Sequence, residues 1–315
     1  MTIAFVFPGQ GAQSIGMGKA LADAYPAAKA VFDEVDEALG ESLSALIWEG
    51  DIETLTLTQN AQPALMATSL AAVRALEAEG VVLSTAAYVA GHSLGEYSAL
   101  AASGAIGLAD TARLLRIRGQ AMQQAVPVGV GAMAAILGLD LATVREIAAE
   151  AAGDQVCQAA NDNDPAQVVV SGDKAAVERA MELAKARGAK RALALPVSAP
   201  FHCRLMQPAA DVMAEALGNV DITAPAVPLI ANVLAAPVSD PAQIRSLLAE
   251  QVTGAVRWRE SVLAMAGLGV TEIWEIGAGK ALSGMIRRID RSIVTRAVGG
   301  QDDVKAAAEH LKQDL

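Results

Sequence analysis

The sequence predicts an α/β fold in two parts, because short apolar strands alternate with longer helices and because that alternation changes once along the chain. Strand Ile3–Phe7, helix Pro26–Leu39, a helix from Pro63 to Glu79 and strand Ala86–Ala90 follow one another in the first part. Strands that alternate with helices form a mostly parallel sheet covered by those helices. With 315 residues, of which 53% are apolar, the chain can bury a core of this kind.

The change lies between residues 127 and 197, where the predicted elements follow the order β-α-β-β-α-β. They are strand Gly131–Leu137, helix Leu141–Ala152, strands Gln155–Ala160 and Gln167–Ser171, helix Lys174–Arg187 and strand Ala189–Leu195. A turn-rich segment, Asn161–Pro165, joins the two middle strands. This order is typical of a ferredoxin-like unit. We therefore expect an inserted ferredoxin-like subdomain over 127–197, a larger core over 1–126 and 198–315, and a ligand cleft between them.

The α/β alternation resumes after residue 197. The predicted elements are helix Met206–Leu217, strand Val227–Asn232, helices Ile244–Glu250 and Ser261–Ala266, strand Thr271–Ile276 and helix Ala281–Arg288. We expect their strands to join the sheet of the first part, so that the segments before and after the insertion form one core.

Charge and composition exclude several classes of protein. A net charge of −11 argues against a general nucleic-acid binder. No apolar run reaches the roughly 18 residues that a membrane span needs. Two cysteines are too few for a disulfide framework, and Cys203 is interpreted as a small buried residue rather than a nucleophile. Because no basic segment precedes strand Ile3–Phe7, we expect no signal peptide and a cytoplasmic location.

One serine lies in a setting that activates nucleophiles. Gly91-His92-Ser93-Leu94-Gly95 falls between the apolar run Ala86–Ala90 and a helix over residues 94–102. A tight strand-to-helix turn with glycines two residues to either side projects a serine hydroxyl into a cleft, as in α/β-hydrolase-like cores. A structural turn is the alternative interpretation of so short a motif. The strand before it and the helix after it favour acyl chemistry at Ser93.

A serine nucleophile needs a base, and the chain has three histidines. His92 lies next to Ser93, where adjacent side chains point apart. His310 lies in a terminal helix, 306–315, that is liable to fray. His202, in the loop that follows the insertion, is therefore the predicted base.

Two further features point to the same cleft. Gln10 follows the first strand, so its N–H and that of Leu94 are predicted to form an oxyanion hole, although a tight turn alone also explains the glycines around Gln10. On the helix 109–125, Arg118 falls on the apolar face between Leu114 and Met122. A buried guanidinium needs an anion, which is either a structural Asp or Glu or the carboxylate of a ligand.

Basic residues on an acidic chain mark candidate docking sites for an acidic partner. Lys190 and Arg191 close the first cluster, residues 185–191, and Arg287 belongs to the second, residues 287–291. We expect any contact with an acidic partner or an anionic ligand to rest on these two clusters.

Motifs along nearly the whole chain resemble those of the malonyl-CoA:acyl-carrier-protein transacylases, a family related to polyketide-synthase acyltransferase domains. The matching segments are Phe5–Gln13, Gln62–Leu65, Gly91–Leu100, Arg118-Gly119, Gly131–Ala135, Gln167–Gly172, Pro196-Val197-Ser198, Phe201-His202 and Glu275–Gly277. Two positions depart from the family pattern. Asp162 stands where relatives often have an apolar or aromatic residue, and Ala278 replaces a common proline.

The resemblance implies a malonyl transfer from CoA to an acyl-carrier protein for fatty-acid synthesis, through malonyl-Ser93. It implies that His202 is base and acid, that Arg118 binds the malonyl carboxylate and that the backbone carbonyl of Gln251 orients His202. Phe201 is then expected to disfavour an α-methyl branch on the acyl group. Four residues are expected to line the cleft: Gln62, His92, Asn161 and Phe201. A monomer without metal or other cofactor, and without membrane or nucleic-acid partners, is expected.

Two other functions remain possible on the residues alone. A thioesterase or carboxylesterase uses the same serine turn but usually adds an acidic residue between serine and histidine in the chain. Asp110, Asp140 and Asp154 occupy that interval, at positions that helix capping explains. An acyltransferase for another CoA extender unit is the second alternative.

Overall fold

A computed structural model describes residues 1–197 and 199–313. The strands are β1 (Ile3–Phe7), β2 (Ala86–Gly91), β3 (Gly131–Leu137), β4 (Cys157–Asp164), β5 (Gln167–Asp173), β6 (Arg191–Ala194), β7 (Leu229–Ile230), β8 (Pro237–Val238), β9 (Glu272–Ile276) and β10 (Val294–Val298). The helices up to residue 152 are α1 (Lys19–Ala24), α2 (Pro26–Leu39), α3 (Leu43–Glu49), α4 (Ile52–Thr56), α5 (Thr58–Ala78), α6 (Gly95–Ala102), α7 (Leu108–Gln124) and α8 (Leu141–Ala152). The later helices are α9 (Lys174–Ala186), α10 (Gln207–Gly218), α11 (Pro241–Glu250), α12 (Trp258–Gly267), α13 (Ala281–Ile289) and α14 (Gln301–Gln313). Ser198 of the predicted 196–198 motif, and the end of the predicted helix 306–315, lie outside the described residues.

The larger sheet has the strand order β10-β9-β1-β2-β7-β8, and its pairs are parallel except for β7 with β8. All five residues of β1 are buried. Phe5 and Phe7 pack into the cluster that contains α2, α5 and α7, whereas Ala4 and Val6 pack against α12 and α13. Because alternate side chains of a strand face opposite sides, helices cover both faces of this sheet. The predicted parallel, helix-covered sheet is confirmed.

The second sheet is antiparallel, with the strand order β4-β5-β3-β6, and residues 131–194 form it. Its elements follow one another as β3, α8, β4, β5, α9 and β6. Ile136 and Val170 face α8 and α9, whereas Met133 and Val169 join the large core cluster. One face of this sheet therefore packs on its own helices and the other face turns toward the main body.

The interpretation of residues 161–165 as a turn was wrong, because β4 continues to Asp164 and the turn is Pro165-Ala166. The four residues from Asn161 to Asp164 are buried. Ion pairs explain this, since Asp162 binds Arg259 of α12 at 3.0 Å and Asp164 binds Arg288 of α13 at 2.7 Å. Partners distant in sequence thus outweigh the local preference of Asn and Asp for turns. The departure from the family pattern at Asp162 is matched by Arg259.

The predicted start of a helix at Pro63 was also wrong, because α5 begins at Thr58 and contains Pro63. A proline inside a helix removes a hydrogen bond and costs about 3 kcal/mol. Packing overcomes this cost, since residues 61–73 of α5 are all buried. Helix α7 packs closely on α5 at Gly119, where a Cβ would lie only 2.5 Å from the Cα of Gln59. The short helices α1, α3 and α4 were not predicted from the sequence, and β7 is shorter than the predicted strand.

None of the helices in the described part of the chain is both long enough and apolar enough to cross a membrane.

Candidate active site

Ser93 lies on the sharp turn between β2 and α6. Its φ angle is 53°, a left-handed conformation that costs free energy in a residue with a Cβ. The flanking glycines make the turn possible. A Cβ at Gly91 would lie 1.9 Å from the carbonyl carbon of Gly95, and one at Gly95 would lie 2.2 Å from the carbonyl oxygen of Phe7. Gly91 is therefore required to close the turn and Gly95 to pack it against β1, in agreement with the prediction that the two glycines relieve crowding around Ser93.

The predicted base is in contact with this serine. His202 Nε2 lies 2.8 Å from Ser93 Oγ. Its Nδ1 faces the carbonyl oxygens of Gln251, at 2.9 Å, and Gly254, at 3.2 Å. A carbonyl only accepts, so Nδ1 carries the proton and Nε2 is free to accept the serine proton. His202 also has a positive φ of 58°, so the base as well as the nucleophile is held in a strained conformation.

His202 is buried, and burial is the main reason why its pKa falls from 6.5 to about 3, with the positive charge of Arg118 adding to the effect. The neutral imidazole, which is the basic form, exists above the pKa. We therefore expect His202 to stay neutral at about pH 5, where an ordinary histidine is mostly protonated. Histidine ¹⁵N NMR spectra of the labelled protein test this, with His202→Asn assigning the signal. A His202 signal that titrates near pH 6.5 would contradict it.

Arg118 of α7 points inward, as its position on the apolar face predicted, and is 1% exposed. Its guanidinium donates to Gln62 Oε1 and Gln251 Oε1, both at 2.8 Å, and to Ser93 Oγ at 3.1 Å. It also lies over the ring of Tyr97, 5.6 Å from the centroid. All three hydrogen-bond acceptors of Arg118 are neutral. Among the described residues, no Asp or Glu forms a direct hydrogen bond with Arg118, so the alternative of a structural carboxylate partner does not hold.

The cleft beside these groups has a volume of about 270 Å³. Leu94 is the N-cap of α6, where backbone N–H groups are free of the helix ladder. Gln10, beyond the end of β1, lines the same cleft, as the oxyanion-hole prediction requires. The four residues predicted to line the cleft also do so: Gln62, His92, Asn161 and Phe201. His92 has a structural contact as well, because its Nε2 lies 2.8 Å from Asn163 Oδ1 of β4.

Two polar residues at the site escaped the sequence analysis. Asn232 accepts from the N–H of Ser93 at 2.8 Å and donates to the carbonyl of Gly91 at 2.6 Å. Glu96, three residues after Ser93, is buried and accepts from Gln251 Nε2 at 2.8 Å. Glu96 could have been noticed as a charged residue on a helix that is otherwise apolar or small. Nothing local marks Asn232, which follows the short strand β7.

The basic residues proposed for docking do not surround the cleft. Lys190 and Arg191 are exposed at the start of β6, whereas the cleft is lined from Leu195 onward, past the other end of that strand. Arg287 is exposed on α13 and donates to Thr295 Oγ1 at 2.8 Å. Arg288 is held by Asp164. Lys190 and Arg191 thus form one exposed pair, and Arg287 stands apart on another element.

The model of a family described as the acyl transferase domain matches residues 4–288. The chain is 48% identical over 313 residues to a malonyl CoA-acyl carrier protein transacylase of Bacillus subtilis, an alignment that covers 99% of this chain and 98% of the relative. Its structure is similar to that of an acyl-carrier-protein S-malonyltransferase from Bartonella henselae, with a TM-score of 0.97, 56% identity and coverage of 99% and 100% of the two chains. A malonyl-transacylase solved in complex with a type II PKS acyl-carrier protein is 42% identical, with a TM-score of 0.96 and coverage of 98% and 100%.

Proposed function

The chain belongs to the acyl transferase family and, within it, to the malonyl CoA-acyl carrier protein transacylases, and on that premise we propose that it moves malonyl from CoA to an acyl-carrier protein through malonyl-Ser93. One observation carries this proposal. The hydroxyl oxygen of Ser93 meets both a neutral imidazole, at 2.8 Å, and a buried guanidinium, at 3.1 Å. The first activates a nucleophile, and the second suits an acyl group that ends in a carboxylate.

In the first half of the reaction, His202 Nε2 accepts the proton of Ser93 as Oγ attacks the thioester carbonyl of malonyl-CoA. The carbonyl oxygen becomes an oxyanion, which the N–H groups of Gln10 and Leu94 stabilise. The C–S bond then breaks, CoA leaves as its thiol with the proton from His202, and malonyl-Ser93 remains. The carbonyls of Gln251 and Gly254 hold the imidazole in the required tautomer.

In the second half, the phosphopantetheine thiol of the carrier protein takes the place of CoA. His202 accepts the thiol proton, the sulfur attacks the malonyl-Ser93 ester, and the proton returns to Ser93 Oγ as the C–O bond breaks. Throughout, Arg118 binds the malonyl carboxylate through its planar pair of N–H donors. The bulk of Phe201 next to His202 disfavours an α-methyl branch on the acyl group.

We also propose the finer description of the fold. The nucleophile turn after a parallel strand supports an α/β-hydrolase-like core over 1–126 and 198–315. The element order of β3 to β6 and the strand order β4-β5-β3-β6 support a ferredoxin-like subdomain over 127–197. We propose a cytoplasmic monomer, since both cysteines are free and buried. The reaction above uses protein groups and the substrate thiols, so we propose no metal or other cofactor.

Intact-protein mass spectrometry after incubation with mixed malonyl-CoA and acetyl-CoA tests the proposed function. We expect one malonyl adduct, which disappears when holo acyl-carrier protein is added and reappears on the carrier. The same experiment separates transfer from hydrolysis. Continued release of CoA beyond one equivalent per protein, without carrier protein, would support the thioesterase, whereas the neutral carbonyl partners of His202 Nδ1 favour transfer. An adduct of a different acyl group would support another extender unit.

We propose that the exposed pair Lys190 and Arg191 docks the acidic carrier protein. The double variant K190E/R191E is expected to raise the KM for the carrier about tenfold, because two attractive charges become repulsive. The rate at which malonyl-CoA loads Ser93 should stay the same. The matched control K29E/K305E makes the same charge change at exposed positions on α2 and α14. An unchanged KM in K190E/R191E would place docking elsewhere, with Arg287 as the next candidate.

A further inference from the structure

We propose that Glu96 is a positioning residue for malonyl recognition, which acts by fixing the orientation of the Gln251 side-chain amide. This inference rests on the proposed function and extends it to a residue that does not line the cleft and whose side chain makes no hydrogen bond to Ser93. Glu96 lies on α6, one turn after Ser93, and its side chain is buried beneath the nucleophile turn.

The Gln251 amide has two chemically different ends, and each has a defined partner. Its Nε2 donates to Glu96 Oε2 at 2.8 Å and to the carbonyl of Ser93 at 2.9 Å. Its Oε1 accepts from Arg118 Nη2 at 2.8 Å. If the amide were turned over, its NH₂ group would face the guanidinium, donor against donor, and its oxygen would face the carboxylate, acceptor against acceptor. Glu96, together with the carbonyl of Ser93, therefore determines which end of Gln251 meets Arg118.

The same carboxyl oxygen also supports the serine turn. Glu96 Oε2 accepts from the backbone N–H of Asn232 at 3.1 Å. The Asn232 side chain in turn accepts from the N–H of Ser93. Glu96 Oε2 thus accepts from two residues that both bind the backbone of Ser93. Asn232 accepts from the N–H of Ser93, and Gln251 donates to its carbonyl. Glu96 therefore supports the position of Ser93 through Asn232 and Gln251, and that of Arg118 through Gln251.

The separation between Glu96 and Arg118 suits a site that must accept a carboxylate. The Glu96 carboxyl is buried, and burial raises its pKa to about 7 against the lowering effects of Gln251, Asn232 and Arg118. Direct contact between Glu96 and Arg118 would occupy the guanidinium with an internal carboxylate. With the Gln251 amide between them, Arg118 is oriented by neutral oxygens and its positive charge is left for the substrate.

Two conservative variants separate hydrogen-bond reach from charge. Glu96→Gln keeps the length of the side chain, and its amide oxygen can accept from both Gln251 and Asn232, because both bonds end on one oxygen in the native chain. Glu96→Asp keeps the charge but shortens the side chain by one methylene, so the acceptor no longer reaches Gln251. The measured quantity is the ratio of kcat/KM for malonyl-CoA to that for acetyl-CoA.

We expect the ratio to fall about tenfold or more in Glu96→Asp and to stay within about threefold of the native value in Glu96→Gln. Gln251→Ala should lower the ratio to a similar extent, and adding Glu96→Asp to it should lower the ratio no further. A purely structural role would slow both acyl groups equally and leave the ratio unchanged. An unchanged ratio in Glu96→Asp, or a fall in Glu96→Gln alone, would overturn the inference. A native chain that forms no malonyl adduct would instead refute the proposed function.

Discussion

Ser93→Ala should abolish the malonyl adduct and lower transfer to the carrier by up to about 10⁶-fold, the loss seen when the serine nucleophile of an acyl-transfer site is removed. The substitution removes one oxygen and leaves the turn intact, because its geometry depends on Gly91 and Gly95 rather than on the hydroxyl. His202 would keep its carbonyl partners but lose the group that it deprotonates. Radiolabelled malonyl-CoA followed by acid precipitation measures the remaining covalent label.

Ser98→Ala is a matched control for this experiment. Ser98 is a buried serine on α6, five residues after Ser93. It does not line the cleft, and its hydroxyl has no hydrogen-bond partner among the described residues. Labelling of Ser98→Ala should equal that of the native chain. Acid-stable label that persists in Ser93→Ala would refute the assignment of Ser93 as the nucleophile.

Arg118→Ala should slow malonyl transfer far more than acetyl transfer, because only the malonyl group carries a free carboxylate. Removing one partner of a buried hydrogen-bonded charge pair costs about 2–5 kcal/mol, or roughly 30- to 5,000-fold in rate. The acetyl group makes no such contact, so its transfer should fall by only about fivefold, the value of the one hydrogen bond from Arg118 to Ser93 Oγ that is lost for both acyl groups. Single-turnover loading of Ser93 from each CoA ester gives the two rates directly.

Two variants define what Arg118 contributes. Arg118→Lys keeps the positive charge but lacks the planar pair of donors, so it should recover only part of the malonyl rate. Arg113→Ala removes an arginine from the exposed face of the same helix, where Arg113 pairs with Asp110, and should leave both rates unchanged. Equal losses for malonyl and acetyl in Arg118→Ala would refute a role in binding the carboxylate.

The sequence predicts the inward position of Arg118 and the pairing of Ser93 with His202 because each rests on a local pattern or on a small number of alternatives. Helical periodicity places Arg118 on the buried face of α7. The choice among three histidines leaves His202. In both cases the identity of the side chain carries the information, and the fold then brings the groups together.

The supports behind these residues were harder to predict because backbone groups and distant segments supply them. The partners of His202 Nδ1 are carbonyl oxygens, which every residue possesses. Family resemblance pointed to the carbonyl of Gln251, but not to the contact of its side chain with Arg118. Similarly, the buried segment from Asn161 to Asp164 has the composition of a turn. It is a strand because it pairs with β5 and because Arg259 and Arg288, about a hundred residues away, bind its two aspartates.

The neutral acceptors around Arg118 also mean that this residue lowers the stability of the fold. A cation is buried with three uncharged oxygens at its donors, and the carboxylate of Glu96 lies beyond Gln251. An apolar side chain of similar volume at this position would fit the surrounding core with a smaller desolvation penalty. Selection for thermal stability alone would therefore favour replacing Arg118, and selection for substrate choice has to retain it. In the proposed mechanism, the anion that completes this pair arrives with each turnover and departs with the product.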